Sequence, residues 1–211
     1  MIENAIEYVK QIFANDCSGH DSHHTMRVYR LAVQIAKQEN ADMLIVQLAA
    51  LLHDVDDVKI SPETYATKKN AVDFMESNGV DNKIIEAVCN IIEEVSFAGT
   101  DSVVPNTLEG KCVRDADRLD AMGAIGIARA FAYGGSKGRK VYNPDIKLLL
   151  NMYKTDYHQN HNSTSINHFY EKLLLLKDMM NTEITKKMAG YRQAVMEEYL
   201  EEFVAEWEGE R

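Results

Sequence analysis

The feature that most constrains this chain is the run Leu48-Ala-Ala-Leu-Leu-His-Asp, where an apolar helix ends in two polar side chains, His53 and Asp54. Ile45, Leu48, Ala49 and Leu52 recur near a 3.6-residue period, so the segment reads as a buried helix. An imidazole and a carboxylate carried inward this way are costly unless a hydrogen-bond network or a metal compensates them. The fold must therefore bring partners to this point. Two places offer them: His24, within His20-Asp-Ser-His-His24-Thr-Met-Arg27, and Asp117, within Cys112-Val-Arg-Asp-Ala-Asp117-Arg-Leu-Asp120. Two imidazoles and two carboxylates from three separate helices suit a borderline-to-hard divalent cation, with positions left for water. The alternative is a buried, hydrogen-bonded His-Asp pair without metal.

What surrounds this run favours an all-α chain. Only three prolines and eleven glycines interrupt 211 residues rich in Ala, Leu, Ile, Met and Glu. That length fits one domain, with room for a lobe, that buries a full core unaided. A hydrophobic content of 45% and a charged content of 27% are ordinary for a soluble globular protein. The formal net charge of −10 argues against a nucleic-acid polymer as partner. It does not argue against a phosphorylated small molecule, because a metal and a few local cations can reverse the field inside a pocket. Cys17, Cys89 and Cys112 form no disulfide framework or Cys-x-x-Cys site. With no signal peptide at the N-terminus and no apolar run of about 20 residues, a cytoplasmic protein without a membrane span is expected.

Taken in order, residues 2–14 read as a short amphipathic helix, and Ser18 or Gly19 can start a second that runs to about Gln38. His20, His24 and Arg27, at spacings of four and three, can share one face of it. Asn40-Ala-Asp42 caps the helix that ends in His53-Asp54. Ser61-Pro62 predicts a helix over about 62–78, proline taking the first helical position, and Asp81 opens another over 81–95. Ser96 to Asn106 reads as a loop. Thr107 to about Tyr133 carries the second acidic cluster and the small-residue run Ala121-Met-Gly-Ala-Ile-Gly-Ile-Ala128, which permits close helix contact. Residues 134–163, glycine-rich and basic and then polar, read as a long flexible loop or small lid. Two helices, about 164–180 and 182–207, close the chain, with Val195, Tyr199, Phe203 and Trp207 facing inward.

These residues carry a resemblance. The order His24, His53-Asp54, Asp117 is similar to that of the HD superfamily of metal-dependent phosphohydrolases, and the likeness runs almost the length of the chain. It is closest to small bacterial HD proteins that share a Ser-Gly-His-Asp start (Ser18 to Asp21), an Ala-Asp-Arg-Leu-Asp-Ala block (Ala116 to Arg129) and a His-Phe-Tyr-Glu-Lys block (His168 to Leu174). The resemblance implies a single helical HD domain with a core over about 18–130, the loop or lid over 134–163, and C-terminal helices over 164–207. It also implies that His24, His53, Asp54 and Asp117 are the metal ligands. Spacing alone would allow His20 in place of His24, and Asp115 or Asp120 in place of Asp117. Residues 81–104 contain no histidine, which favours one ion, Mn²⁺ or Mg²⁺, over two. The Gly-Tyr-Pro extension of cyclic-dinucleotide phosphodiesterases is absent.

Several further residues are candidates. Asp54, Asp57 and Asp120 are the catalytic carboxylates, Asp57 or Asp120 being placed to take a proton from water. Arg27 and Lys59 offer fixed positive charge to a phosphoryl group, Lys137 and Lys140 could do so from the lid, and His20 and His168 are further substrate contacts. For each, an ordinary reading stands beside the functional one: solvated cations, a surface Asp57–Lys59 pair, a C-terminal core histidine. The resemblance implies a nucleotide substrate, a nucleoside or deoxynucleoside triphosphate cleaved to monophosphate and pyrophosphate. A phosphomonoesterase, a phosphodiesterase, a non-catalytic metal and nucleotide sensor, and a helical interaction module with a vestigial metal set remain open. So does the oligomeric state, a homodimer included.

Overall fold

Helix α3, Met43–Leu52, is apolar but for Gln47, and Val46, Leu48, Ala49, Ala50, Leu51 and Leu52 are all fully buried. A helix with no polar face belongs at the centre of its unit, and α1 (Ile2–Ile12), α2 (Ser22–Glu39) and α5 (Asn82–Val95) all pack against it. The structure, a computed structural model, describes residues 1–14, 21–58, 60–95, 103–150 and 163–211. These fall into two compact units: the described residues of 1–97 and 103–117, and those of 118–211. Among the described residues all regular structure is helical, as the composition implied.

In the first unit, α4 (Lys69–Ser77) packs on α5. Helix α6, Leu108–Asp120, contributes its residues through Asp117 here. Side-chain caps fix the helix starts. Asp42 accepts from the amides of Leu44 and Ile45 at α3, and Asp21 accepts from His24 N at 2.8 Å at α2. The Asp21 carboxylate thus caps α2 at a point later than the expected start at Ser18 or Gly19. Those two residues, with His20 and Lys59, lie outside the described residues.

The helix expected over 62–78 is shorter than its pattern suggested. Residues 61–68 form successive turns, and α4 starts only after Lys68, whose φ of 51° puts it in the left-handed region. A β-carbon crowds the backbone there, so a lysine is held in place by its surroundings. The cap comes from elsewhere: Asp56, 3% exposed, accepts from the amides of Asn70 (3.1 Å) and Ala71 (3.0 Å). Asn70 returns the contact, its side-chain amide donating to the carbonyl of Val55 (3.2 Å).

In the second unit, α7 (Gly123–Ser136), α8 (Ser165–Glu171), a 3₁₀ helix (Leu173–Met179) and α9 (Glu183–Glu208) pack in succession. The small-residue run marks a break between helices and not one continuous helix. Gly123 has φ +69° close against Arg192, and a β-carbon on Gly126 would stand 2.2 Å from the Ala121 carbonyl oxygen. Helix α7 continues through Gly134 and Gly135 to Ser136, past the expected loop start, and Gly134 sits where a β-carbon would meet Ser165 Oγ at 2.2 Å. The buried stripe of α9 is Thr185, Ala189, Met196 and Leu200. Val195 and Trp207, expected inward, are 43% and 50% exposed. Tyr199, Phe203 and Trp207 instead form an aromatic row along one flank, met by Phe131, Tyr142 and Phe169. Helix α9, at 26 residues, is also the longest helix among the described residues, and none of them is long and apolar enough to cross a membrane.

Candidate metal centre

Two helices and the turn that follows a third carry the proposed ligand set. His24 lies on the buried stripe of α2 with Val28, Ala32 and Ala36, one helical turn apart each, and is itself fully buried. His53 is the C-cap of α3, and Asp54 follows it into a turn closed by Asp57 N donating to Asp54 O at 3.0 Å. Asp117 stands one turn after Val113 on α6, and its side chain keeps 25% exposure. Three elements thus bring four polar groups together inside one unit.

The distances are short and mutual. His24 Nε2 is 3.4 Å from Asp54 Oδ2 and 3.5 Å from Asp117 Oδ1. His53 Nε2 is 3.2 Å from Asp54 Oδ2 and 4.0 Å from Asp117 Oδ1. The imidazoles meet edge-on, centroids 5.4 Å apart. One ligand atom from each of His24, His53 and Asp117 lies within 4.8 Å of the others. Ligand atoms about 2.1 Å from one ion stand about 3 Å apart at neighbouring positions of an octahedron and about 4.2 Å at opposite ones. The set fits a single divalent cation.

Two further observations agree. His53 Nδ1 faces the Ala50 carbonyl at 3.0 Å, and donation there leaves Nε2 as the nitrogen turned to the carboxylates. That Nε2 is buried, with Asp54 Oδ2 at 3.2 Å as its near neighbour. Burial works to depress the His53 pKa, but Asp54 and Asp117, aided by the Ala50 contact, outweigh it and raise the value from 6.5 to about 9. The carboxylates therefore favour positive charge at this point, which a metal ion would supply in place of a proton.

The other candidates divide. Arg27 is half-buried one turn beyond His24 on α2. Asp57 lines a small cleft beside His53, together with Asp56, Tyr65, Lys68, Ile92 and Glu93. No sequence motif signalled Asp56, Lys68 or Glu93: the turns that carry Asp56 and Lys68 have no periodic pattern, and Glu93 falls on the exposed side of α5. Asp115 is fully buried, and Asp120 pairs with Arg129 (2.7 Å) within the second unit, so of the three acids only Asp117 is seen facing the imidazoles. Lys137, Lys140 and His168 belong to the second unit. Lys137 lies 5.9 Å over the Tyr133 ring. Lys140 is tied in by its carbonyl, which accepts from Ser165 N. Burial, then the charges of Lys172 and Arg139, lower the His168 pKa from 6.5 to about 3, so its ring is neutral.

With this geometry in view, comparison places the chain. The HD domain model matches residues 22–122, a span that begins with α2 and contains all four ligand candidates. The chain belongs to the HD-domain family and is a metal-dependent hydrolase of that superfamily. It is 37% identical over 195 residues to the Bacillus subtilis protein YpgQ, covering 92% of this chain and 87% of that one. A crystal structure of YpgQ in complex with ADP matches with a TM-score of 0.75 at 34% identity, over 96% of each chain. A Lactobacillus plantarum protein matches with a TM-score of 0.88 at 39% identity, over 99% of this chain and 97% of that one. A Bacillus thuringiensis HD-superfamily hydrolase matches at 0.76 and 42%, over 98% and 96%.

Proposed function

We propose that the protein hydrolyses a nucleoside or deoxynucleoside triphosphate to the monophosphate and pyrophosphate. His24, His53, Asp54 and Asp117 would hold one Mn²⁺ or Mg²⁺. The observation that carries the reading is the convergence of these four side chains, with nitrogen–oxygen separations of 3.2–4.0 Å. The ADP held by YpgQ supports a nucleotide as the substrate class.

The ion, when bound, supplies Lewis acidity to water and to a phosphoryl oxygen. Asp57, in the cleft beside His53, takes the proton of the attacking water. The oxygen of that water joins the α-phosphorus as the bond to the bridging α–β oxygen breaks, and the leaving group departs as pyrophosphate. Arg27 and Lys59 offset the charge that builds on the phosphoryl oxygens. Asp57 is preferred to Asp120 as the base because the Asp120 carboxylate is engaged with Arg129. His20, Lys137, Lys140 and His168 stay as proposed substrate contacts, His168 as a neutral hydrogen-bonding ring.

The test is incubation with a panel of nucleotides and Mn²⁺, resolving pyrophosphate from orthophosphate, with Asp54→Ala as control. Pyrophosphate released by the unmutated protein alone is the expected result. Orthophosphate in its place would move the activity to a phosphomonoesterase, and no product from protein that retains metal would make it a sensor.

A further inference from the structure

Beside the metal centre, Lys68 breaks two local rules at once. It occupies the N-cap of α4, a position that favours Ser, Thr, Asp or Asn, and its side chain makes no capping bond. It also holds a left-handed backbone conformation, φ 51° and ψ 37°, that lysine adopts at a cost. Of the described non-glycine residues only Asn40 shares a positive φ, and Asn40 ends a helix, where that conformation is common. Lys68 ends none. Strain of this kind persists only where the surroundings impose it, and it gathers at functional sites.

The surroundings that impose it belong to the metal turn. Asp56, two residues after Asp54, bonds the amides of Asn70 and Ala71 and so takes over the cap that residue 68 would ordinarily supply. Asn70 bonds back to Val55. The start of α4 is thereby tied to the turn carrying His53 and Asp54, and the residue at position 68 is released from capping. Its side chain, only 14% exposed, is instead delivered to the wall of the cleft that His53 and Asp57 also line. There the ammonium pairs with Glu93 of α5, whose own side chain is 62% exposed. A surface carboxylate in high dielectric is a weak partner. A phosphate oxygen entering the cleft offers the same lysine more charge than Glu93 does.

We propose that Lys68 is a phosphate-binding residue of this cleft, held by Glu93 until the phosphate chain of the substrate takes that carboxylate's place. This deepens the reading of the site as a phosphohydrolase centre and rests on it for the substrate class. It makes Glu93 a competitor of the substrate. The two members of the ion pair then have opposite effects on phosphate affinity, and direct contact makes the loss at Lys68 far larger than the change that a screened charge at a distance produces.

The experiment uses inorganic pyrophosphate as probe, titrated calorimetrically in the presence of Mn²⁺ into the unmutated protein, Lys68→Met and Glu93→Gln. It requires no nucleotide and no turnover. The expected result is a loss of tenfold or more in pyrophosphate affinity for Lys68→Met and a gain of severalfold for Glu93→Gln. Equal affinities in all three proteins, weakening in both variants, or no pyrophosphate binding by the unmutated protein would each overturn the assignment of Lys68. Glu93 is exposed enough that its amide variant keeps the fold, so the outcome does not hang on the Lys68 variant alone. Failure of the nucleotide reading is seen separately, in the hydrolysis panel with the unmutated protein.

Discussion

Replacing Asp56 with alanine removes the clamp between the metal turn and α4, and the cost can be worked from the contacts. The carboxylate is 3% exposed and accepts two backbone bonds, at 3.1 and 3.0 Å, from amides that have no carbonyl one turn back to bond. Hydrogen bonds to a charged acceptor contribute about 1.5–3 kcal/mol each, and lost helix caps cost about 0.5–2 kcal/mol. The desolvation of the carboxylate itself, relieved in the variant, offsets part of the sum. A net loss of about 3 kcal/mol is expected. For a chain of this size that lowers the melting temperature by about 6–12 °C. Urea unfolding followed by far-UV circular dichroism measures it, and metal affinity measured on the same variant should fall as the turn at residues 53–57 loosens. A loss under about 1 kcal/mol with unchanged metal affinity would refute the reasoning, because it would mean that water caps α4 as well as Asp56 does.

Three further outcomes follow from the geometry. Mn²⁺ at a hundredfold its dissociation constant should stabilise the protein by about 2.7 kcal/mol; thermal melts with and without chelator read this, and an equal response from His53→Ala would place the ion elsewhere. His168 stays neutral in the fold to about pH 3, whereas the unfolded chain protonates it near 6.5. Its contribution is therefore complete above pH 6.5 and is lost as the pH falls toward 3. About 2–3 kcal/mol should disappear between pH 7 and 4.5, and His168→Gln should flatten that slope in urea titrations. Gly126→Ala drives a methyl group against the Ala121 carbonyl and should cost about 1–3 kcal/mol; a melt indistinguishable from the parent would show that the α6–α7 link yields freely.

Much of this molecule was legible because its strongest signals are local. Helix α3 announces itself as ten residues with no polar face until His53, and Asp42 supplies a cap that any reader of side-chain chemistry would choose. His24 was legible as a member of the α2 stripe, since a polar residue four before Val28 must be accommodated or compensated. The resemblance then selected Asp117 among three acids that spacing could not separate. The reading of α9 went wrong for a related reason. Its aromatic residues recur at helical spacing as convincingly as its buried stripe does, and period alone cannot say which face is the more deeply buried. Thr185, Ala189, Met196 and Leu200 are small or flexible enough to lie against the rest of the unit, while the larger rings line its flank.

The start of α4 was illegible for a different reason, and the reason bears on function. Ser61-Pro62-Glu63 is a sound local start signal, yet the chain turns through residues 61–68 and starts its helix at Lys69, because the acceptor that satisfies the first amides sits on another segment, at Asp56. Sequence patterns report what a segment prefers alone; a cap borrowed from another segment overrides that preference without leaving a trace in it. Natural chains keep local preference and global fold in agreement except where something is gained by breaking it. Here the breach lies beside His53 and Asp54, and its effect is to turn a lysine from the end of a helix into the wall of the cleft. A chain selected for stability alone would carry Asn or Gly at position 68, both of which accept a left-handed backbone at less cost. Substituting Gly there should accordingly stabilise the fold while weakening pyrophosphate binding, and gains in both would remove the functional reason for the strain.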